Sequence, residues 1–190
     1  MAKITWKGAA LLAPVPAVLV SCASGRAQNL LTVAWTGIVC SDPPKTYISL
    51  RQERYSFDLI RQSGEFCINL PTDKMARAVD YCGVRTGRGE DKFAACALTP
   101  SASSRVGCPS VAECPLTLEC RVSDTLPLGS HTLFLADILA VTVEDSLLDT
   151  ADRLRLERAG LMAYAHGEYF SLGGSLGRFG FSVRKKRKGR

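Results

Sequence analysis

The sequence predicts a mainly β protein, an antiparallel barrel with a few helices set on it. Short apolar runs alternate with polar residues at period two. Turn residues (Gly, Pro, Asp, Ser) separate most of these runs. The steady strand–helix–strand alternation of a parallel sheet is missing. A length of 190 residues suits one domain with a full core, and the 46% hydrophobic and 22% charged content is that of a globular chain. Residues 1–181 are assigned to this domain and residues 182–190 to a basic, disordered tail.

In order, Leu11 to Cys22 reads as a first strand with Pro16 near its start, and Ser24–Gln28 as a turn. Leu30–Cys40 is the next run. Leu31, Val33 and Trp35 give it a bulky face; Thr32, Ala34 and Thr36 give it a small one that lets a flat ligand approach the backbone. Close packing on a neighbouring strand accounts for the pattern equally well. A Ser-Asp-Pro-Pro turn leads to the strand Thr46–Leu50, where Tyr47, Ser49 and Arg51 share one face and Thr46, Ile48 and Leu50 the other. Ser56 is expected to cap a helix over Phe57–Gln62 that Gly64 ends. Glu65–Leu70 is a strand. Thr72 is expected to cap a helix over Asp73–Cys82, with Gly83 beyond its end.

Gly83 to Asp91 is a loop with three glycines and two arginines, Arg85 and Arg88, followed by a helical turn at Lys92-Phe93. Pro100–Pro115 is loop-rich. Leu116, Leu118, Cys120 and Val122 then alternate with Thr117, Glu119 and Arg121, as in a half-buried strand. Leu126–Ser130 turns the chain back into a long strand, His131–Glu144, with a bend near Ala136-Asp137. Asp149–Glu157 is a short helix or loop. Met162–Ala165 and Tyr169–Leu172 form a last hairpin about His166-Gly167.

Net charge is +6, and the stretch Arg184–Arg190 carries as many positive side chains as that, so the body is near neutral. A nucleic-acid partner is therefore not favoured. The longest apolar run, Ala9–Val20, is too short to span a bilayer, and Pro14 and Pro16 suit an edge strand better than a signal peptide. No membrane partner is expected, and the chain is read as cytoplasmic. The eight cysteines include no C-x-x-C pair, and only two histidines are present, so core cysteine is favoured over a metal site. Cys108, Cys114 and Cys120 are evenly spaced and ask for inspection. No nucleophile–base pair stands out, so a bound cofactor is expected to carry any chemistry.

The chemistry-bearing stretch is Asn29–Ser56. Strands that end in hydroxyls and in Arg51 and Arg54, just before a helix start, make an anion site. Helix-start N–H groups and arginine forks both suit phosphate oxygens. The glycine-rich loop at Gly83–Asp91 lacks the G-K-[ST] of a P-loop.

Ordered motifs extend this. They are P-V-P-A-V-L-V-S near the start, N-x-x-T-V-A-W-T-G at Asn29–Gly37, S-D-P-P-K-T-Y-I-S-L-R at Ser41–Arg51 and R-Y-S-F-D-L-I at Arg54–Ile60. G-E-F-C-I-N-L-P at Gly64–Pro71, T-G-R-G-E-D-K-F at Thr86–Phe93, L-E-C-R-V at Leu118–Val122 and S-H-T-L-F-L-A at Ser130–Ala136 follow. The set resembles the flavin reductase-like family of FMN-binding split β-barrels, in particular its flavoredoxin branch, over about residues 10 to 181. The resemblance implies an antiparallel, Greek-key-like split barrel that forms a homodimer and holds FMN non-covalently. It implies that Asn29, Thr32, Ala34, Trp35 and Thr36 line the flavin ring and ribityl chain, that Ser49, Leu50 and Arg51 continue that wall, and that Arg54, Ser56 and Lys92 hold the phosphate. His131 matches a family histidine that faces the flavin or nicotinamide side; a strand-start histidine bonded to backbone is the equal alternative, as core packing is for Trp35. The activity implied is hydride transfer from NADH or NADPH to FMN, with electrons passed to free flavin, a ferric chelate or a protein. The alternative is a flavoredoxin-type carrier reduced by a protein partner, without a nicotinamide site. Ala136-Asp137 and the Arg85, Thr86, Arg88 loop depart from the family pattern.

Overall fold

The computed structural model describes residues 1–183; the basic tail expected beyond them falls almost wholly outside the described residues. Strands β1 (Val15–Pro16), β2 (Val18–Ser24), β3 (Ala27–Val33), β4 (Thr36–Ser41) and β5 (Pro44–Arg51) come first. Helix α1 (Tyr55–Ser63), strand β6 (Glu65–Leu70) and helices α2 (Ala76–Val84) and α3 (Lys92–Ala95) follow. The remainder comprises β7 (Pro100–Ser101), β8 (Ser110–Val111), β9 (Leu116–Pro127), β10 (His131–Val143), β11 (Met162–Ala165) and β12 (Glu168–Ser171).

The main sheet runs β3-β2-β6-β9-β10-β5-β4, antiparallel at every pairing. Its two edge strands, β3 and β4, are neighbours in the chain, joined only by Ala34 and Trp35. The edges must therefore meet, so the sheet curls into a barrel. At the joint the Ser49 N–H donates to the Trp35 carbonyl at 2.9 Å, which carries the β4–β5 ladder one step beyond the Thr36–Ile48 pair. The antiparallel barrel expected from the sequence is the fold observed. The expected single run Leu30–Cys40 is two strands, because the chain changes sheet edge at Ala34-Trp35 while its period-two pattern continues. Trp35 leaves the bulky face with Leu31 and Val33 and stands 44% exposed.

The barrel interior holds Val20, Leu31, Ile48, Phe66 and Phe134, closed by Leu59 and Ile60 of α1. Each such side chain contributes about 1.5–3 kcal/mol on burial. A second core lies outside the barrel wall, where Leu19 of β2 and Leu30 of β3 meet Val79 and Cys82 of α2 and Phe93 of α3. Both faces of β2 are thus buried. A small sheet, β1-β11-β12, carries the expected last hairpin, and β10 has register shifts at Leu135/Ala136 and Ile138/Ala140 where the bend was expected.

Several boundaries differ from the sequence expectation. The first strand begins at Val15, since Leu11 and Leu12 lie exposed without a sheet partner. The turn after it is only Gly25-Arg26, with Gly25 at φ 60°. Arg54, not Ser56, precedes the first residue of α1. Backbone bonds from Arg54 N to the Arg51 carbonyl and from Phe57 N to the Arg54 carbonyl start the helix early and leave Ser56 buried in its first turn. Gly64 does end α1, at φ 70°. Thr72 leads into a 3-10 turn at Asp73–Met75, because the Asp73 N–H is drawn to the Gly160 carbonyl at 2.7 Å, and α2 then continues through Gly83. Of the expected helix or loop at Asp149–Glu157, residues 149–155 are loop and Leu156 and Glu157 begin a 3-10 turn that ends at Arg158.

The alternation places Thr117 and Glu119 on the polar face of β9, yet both are buried. The segment between β7 and β9 folds over them. Glu119 accepts bonds from the Ser104 N–H at 3.0 Å and the Arg105 N–H at 2.6 Å, and from the Ser104 hydroxyl. Asn69 ties the same layer together. Its amide donates to the Leu19 carbonyl and Ser21 Oγ and accepts from the Val111 N–H and Thr117 Oγ1, all at 2.9 Å. Among the described residues no buried side-chain nitrogen or oxygen lacks a partner. Asn69→Ala strands four polar groups in a dry site, so it is expected to lower stability by about 3 kcal/mol. Urea denaturation reads this as a lower midpoint at unchanged slope. A midpoint equal to the wild type would refute the role given to Asn69.

Candidate functional site

Two hollows run together on one side of the barrel. One, of about 490 Å³, is walled by the seam between β3 and β4, by Ser49–Arg51 of β5 and by His131 at the start of β10. The other, of about 420 Å³, lies between Asn29, Arg54, the Arg85–Gly87 loop and Lys92. Leu31, Arg51, Arg54 and Val84 line both, so the two form one trough. A larger hollow of about 570 Å³ near Arg153 lies elsewhere, where Arg153 and Arg155 are already paired with Asp149 and Glu157.

The second hollow is the cationic end. Lys92 is buried, and its Nζ donates to the Leu30 and Cys82 carbonyls, each at 2.9 Å. Among the described residues it has no carboxylate partner, and neither has Arg54. Burial pulls the Lys92 ammonium below its usual range, and the Arg54 charge adds to this. Arg54 Nη1 donates to the Gly83 carbonyl at 2.9 Å, at the negative end of α2. Gly87 packs so closely on Asn29 that a Cβ there would stand 2.1 Å from Asn29 Oδ1. Only glycine lets this loop reach the trough. The donors here are two cations, an amide, the Thr86 hydroxyl and loop backbone, a set that suits a phosphate group.

The first hollow is the flat end. The Trp35 and His131 rings lie 4.4 Å apart at 36°. His131 Nδ1 is 2.9 Å from Ser130 Oγ, so a side chain and not backbone orients the ring. Burial, then the nearby Arg51 charge, push the His131 pKa down, which keeps the ring neutral. Arg51 faces His131 across the β5–β10 ladder and pairs with Glu53 at 3.6 Å in the open.

The trough gathers Asn29, Thr32, Ala34, Trp35, Ser49, Leu50, Arg51, Arg54, Lys92 and His131 of the residues expected from the sequence. Thr36 and Ser56 do not line it. Thr36 Oγ1 is turned to the Tyr47 carbonyl at 2.6 Å, and Ser56 Oγ accepts from Asn29 Nδ2 at 2.8 Å one layer behind. Sequence reasoning misses Tyr164, Gly167 and Tyr169, which close the far side of the first hollow, and Asp80 on α2. Tyr164 and Tyr169 are cross-strand partners in the last hairpin, a pairing visible in the sequence. What places them at the trough is the pairing of β11 with β1, and that is long-range.

The profile described as "Flavin reductase like domain" matches residues 11–173. The chain belongs to the flavin reductase-like family. Among solved structures, flavoredoxin of Desulfovibrio vulgaris (Miyazaki F) is similar at 30% identity and a TM-score of 0.89, covering 96% of this chain and all of that one. The NADPH-flavin oxidoreductase of Streptomyces viridifaciens is 27% identical over 128 residues, 66% of this chain and 65% of that protein. The FMN reductase (NADH) RutF of Stutzerimonas stutzeri is 25% identical over 138 residues, 73% and 76% of the two chains.

Because burial and Arg51 disfavour its cation, His131 is expected to titrate below the ordinary histidine value of about 6.5. Proton NMR of the imidazole, assigned with a His166→Gln variant, reads this. Arg51→Ala is expected to move the pKa upward. An ordinary value that ignores the Arg51 substitution would contradict the site electrostatics.

Proposed function

We propose that the trough binds FMN non-covalently and that the chain, an oxidoreductase by family, passes electrons from NADH or NADPH through it to a free flavin, a ferric chelate or a protein. The observation that carries this reading is the pair Lys92 and Arg54, buried or half-buried cations without a carboxylate partner among the described residues, at one end of a trough whose other end is lined by Trp35 and Ala34. In this reading Arg54 and Lys92 hold the phosphate, helped by Asn29, Thr86 and the amides near Gly87. Ser56 acts through Asn29, whose amide it orients. Thr32, Ala34, Trp35, Ser49, Leu50 and Arg51 wall the ring and ribityl chain, and Thr36 supports that wall through Tyr47.

Bound FMN would supply a ring able to accept hydride and release electrons singly or in pairs. The protein's part is positioning, exclusion of water and a fixed field. With its cation disfavoured, His131 offers a negative charge only an N–H, whereas Arg51 beside it offers a full positive charge. Trp35 and His131 offer two aromatic rings at the open end, where a nicotinamide would meet the site. No side-chain acid or base is required for hydride transfer, in keeping with the absence of an evident pair among the trough residues.

A second reading is a flavoredoxin-type carrier reduced by a protein. It is favoured by the 30% identity to flavoredoxin over nearly the whole chain. The visible spectrum of the purified protein after FMN addition, followed by anaerobic NADH and NADPH, separates the two. Flavin bands that bleach with either nucleotide support the reductase; bands that persist support the carrier. Arg54→Ala is expected to weaken FMN binding about 10–100-fold, the worth of a lost bond to a charged group. No flavin bound by the wild type would sink both readings.

The proposal extends to a homodimer in the cytoplasm. Ile38 and Val39 on β4 and Leu126 and Leu128 near the β9–β10 turn are exposed apolar residues that a second copy would cover. No helix among the described residues is long and apolar enough to cross a membrane, and the eight cysteines are free thiols. Light scattering is expected to give twice the 20.5 kDa chain mass, and a monomer at micromolar concentration would rule the dimer out.

A further inference from the structure

Two thiols meet behind the cationic end of the trough. Cys82, in the last turns of α2, is fully buried, and Cys96, just after α3, is partly exposed. Their sulfurs are 3.8 Å apart. The chain between them carries Thr86 and Gly87 to the trough and Lys92 beneath it. The Cys82 carbonyl is itself one of the two acceptors that hold Lys92.

We propose that Cys82 and Cys96 form a redox-responsive pair whose disulfide clamps the segment 83–95, the end of α2, the loop after it and α3, and tightens its hold on the phosphate of a bound ligand. The effect on the ligand rests on the FMN reading; the disulfide itself does not. The sulfurs must close from 3.8 Å to the ~2.0 Å of a bond, and Gly83, Gly87 and Gly89 between them allow that movement. The loop between α2 and α3, with Gly87 and Gly89, loses much freedom when it orders around a ligand. Fixing its two ends in advance reduces that loss and slows release.

The two thiols divide the chemistry. Burial pushes the Cys82 thiol up to about 12, so it is a poor first nucleophile. Cys96 is the one that a small oxidant reaches. Its thiolate attacks hydrogen peroxide; the O–O bond breaks, Cys96 becomes a sulfenic acid, and one water forms once a proton is taken up. The Cys82 sulfur then attacks the sulfenic sulfur. The S–S bond forms, the S–O bond breaks, and hydroxide leaves as a second water with the Cys82 proton. Two thiols lose two electrons and peroxide gains them. A dithiol reductant reverses the change by exchange. Cys67 and Cys108 form a second close pair, at 3.6 Å, but both are buried and they join β6 to the segment after β7, away from the loop. That pair serves as the internal control.

The test treats the purified full chain with one equivalent of hydrogen peroxide, blocks free thiols and digests it without reduction. The expected product joins the tryptic peptide Ala78–Arg85 to Phe93–Arg105. The oxidised protein is expected to release FMN about 3–10-fold more slowly than the reduced form, a difference that dithiothreitol reverses and that Cys96→Ser lacks. No such cross-link, or one only between Cys67 and Cys108, overturns the proposal. A Cys82–Cys96 cross-link with unchanged FMN release overturns the clamp. If neither form binds FMN, the functional reading has failed. The clamp is then decided by trypsin acting on the native protein after Arg85 and Arg88: several-fold slower cleavage on oxidation sustains it, and an unchanged rate overturns it.

Discussion

The two-residue joint at Ala34-Trp35 is the constraint on which the rest depends. It connects the two edges of one seven-stranded sheet, so that the sheet has no choice but to close. Closure turns the two strand edges toward each other and away from other chains. It also leaves a seam, because among the described residues β3 pairs only with β2 and β4 only with β5, and no ladder joins the two edges. The trough opens along that seam. Ala34 supplies no bulk there, Trp35 is turned out of the core, and Ser49–Arg51 and His131 stand alongside. The site is where barrel closure is least complete.

The cationic end follows from the outer layer, not from the barrel. α2 and α3 cover the outer faces of β2 and β3, and Lys92 enters that layer held only by carbonyls. A buried ion costs several kcal/mol even after relaxation, and carbonyl dipoles offset only part of this. The protein therefore carries a standing electrostatic cost that an anion placed at the trough would relieve. Arg54 raises that cost and the attraction together. Glu119 shows the opposite solution to the same problem: loop N–H groups and a hydroxyl satisfy its carboxylate, and it has nothing left to offer a ligand.

What could be read in the sequence was whatever local chemistry decides. The alternation of Thr46, Ile48 and Leu50 against Tyr47, Ser49 and Arg51 has the burial it implied, Glu65–Leu70 is the strand expected, and Gly64 ends its helix. Most of the candidate residues around Arg51 and Arg54 converge for the same reason, since they lie on successive elements. The break at Ala34-Trp35 was illegible because a period-two pattern does not reveal a change of partner. Ser56 had the chemistry of a cap but the burial of a core residue, since backbone bonds had started the helix before it. Thr117 and Glu119 looked solvent-facing because the segment that covers them is irregular and has no periodicity to read. The tyrosine hairpin was visible as a hairpin and invisible as part of the site.

That hairpin has a consequence for how such a chain diversifies. β11 meets the rest of the molecule's strands through β1, in the register Val15 to Tyr164 and Pro16 to Ala163, and takes no part in closing the barrel. The wall that faces whatever approaches the open end of the trough is thus separable from the wall that makes the fold. Mutation can lengthen, shorten or recolour this appendage while the seam and the cationic end persist. Selection for a new reaction partner would then act on a peripheral cassette, and the inherited framework would be spared the search.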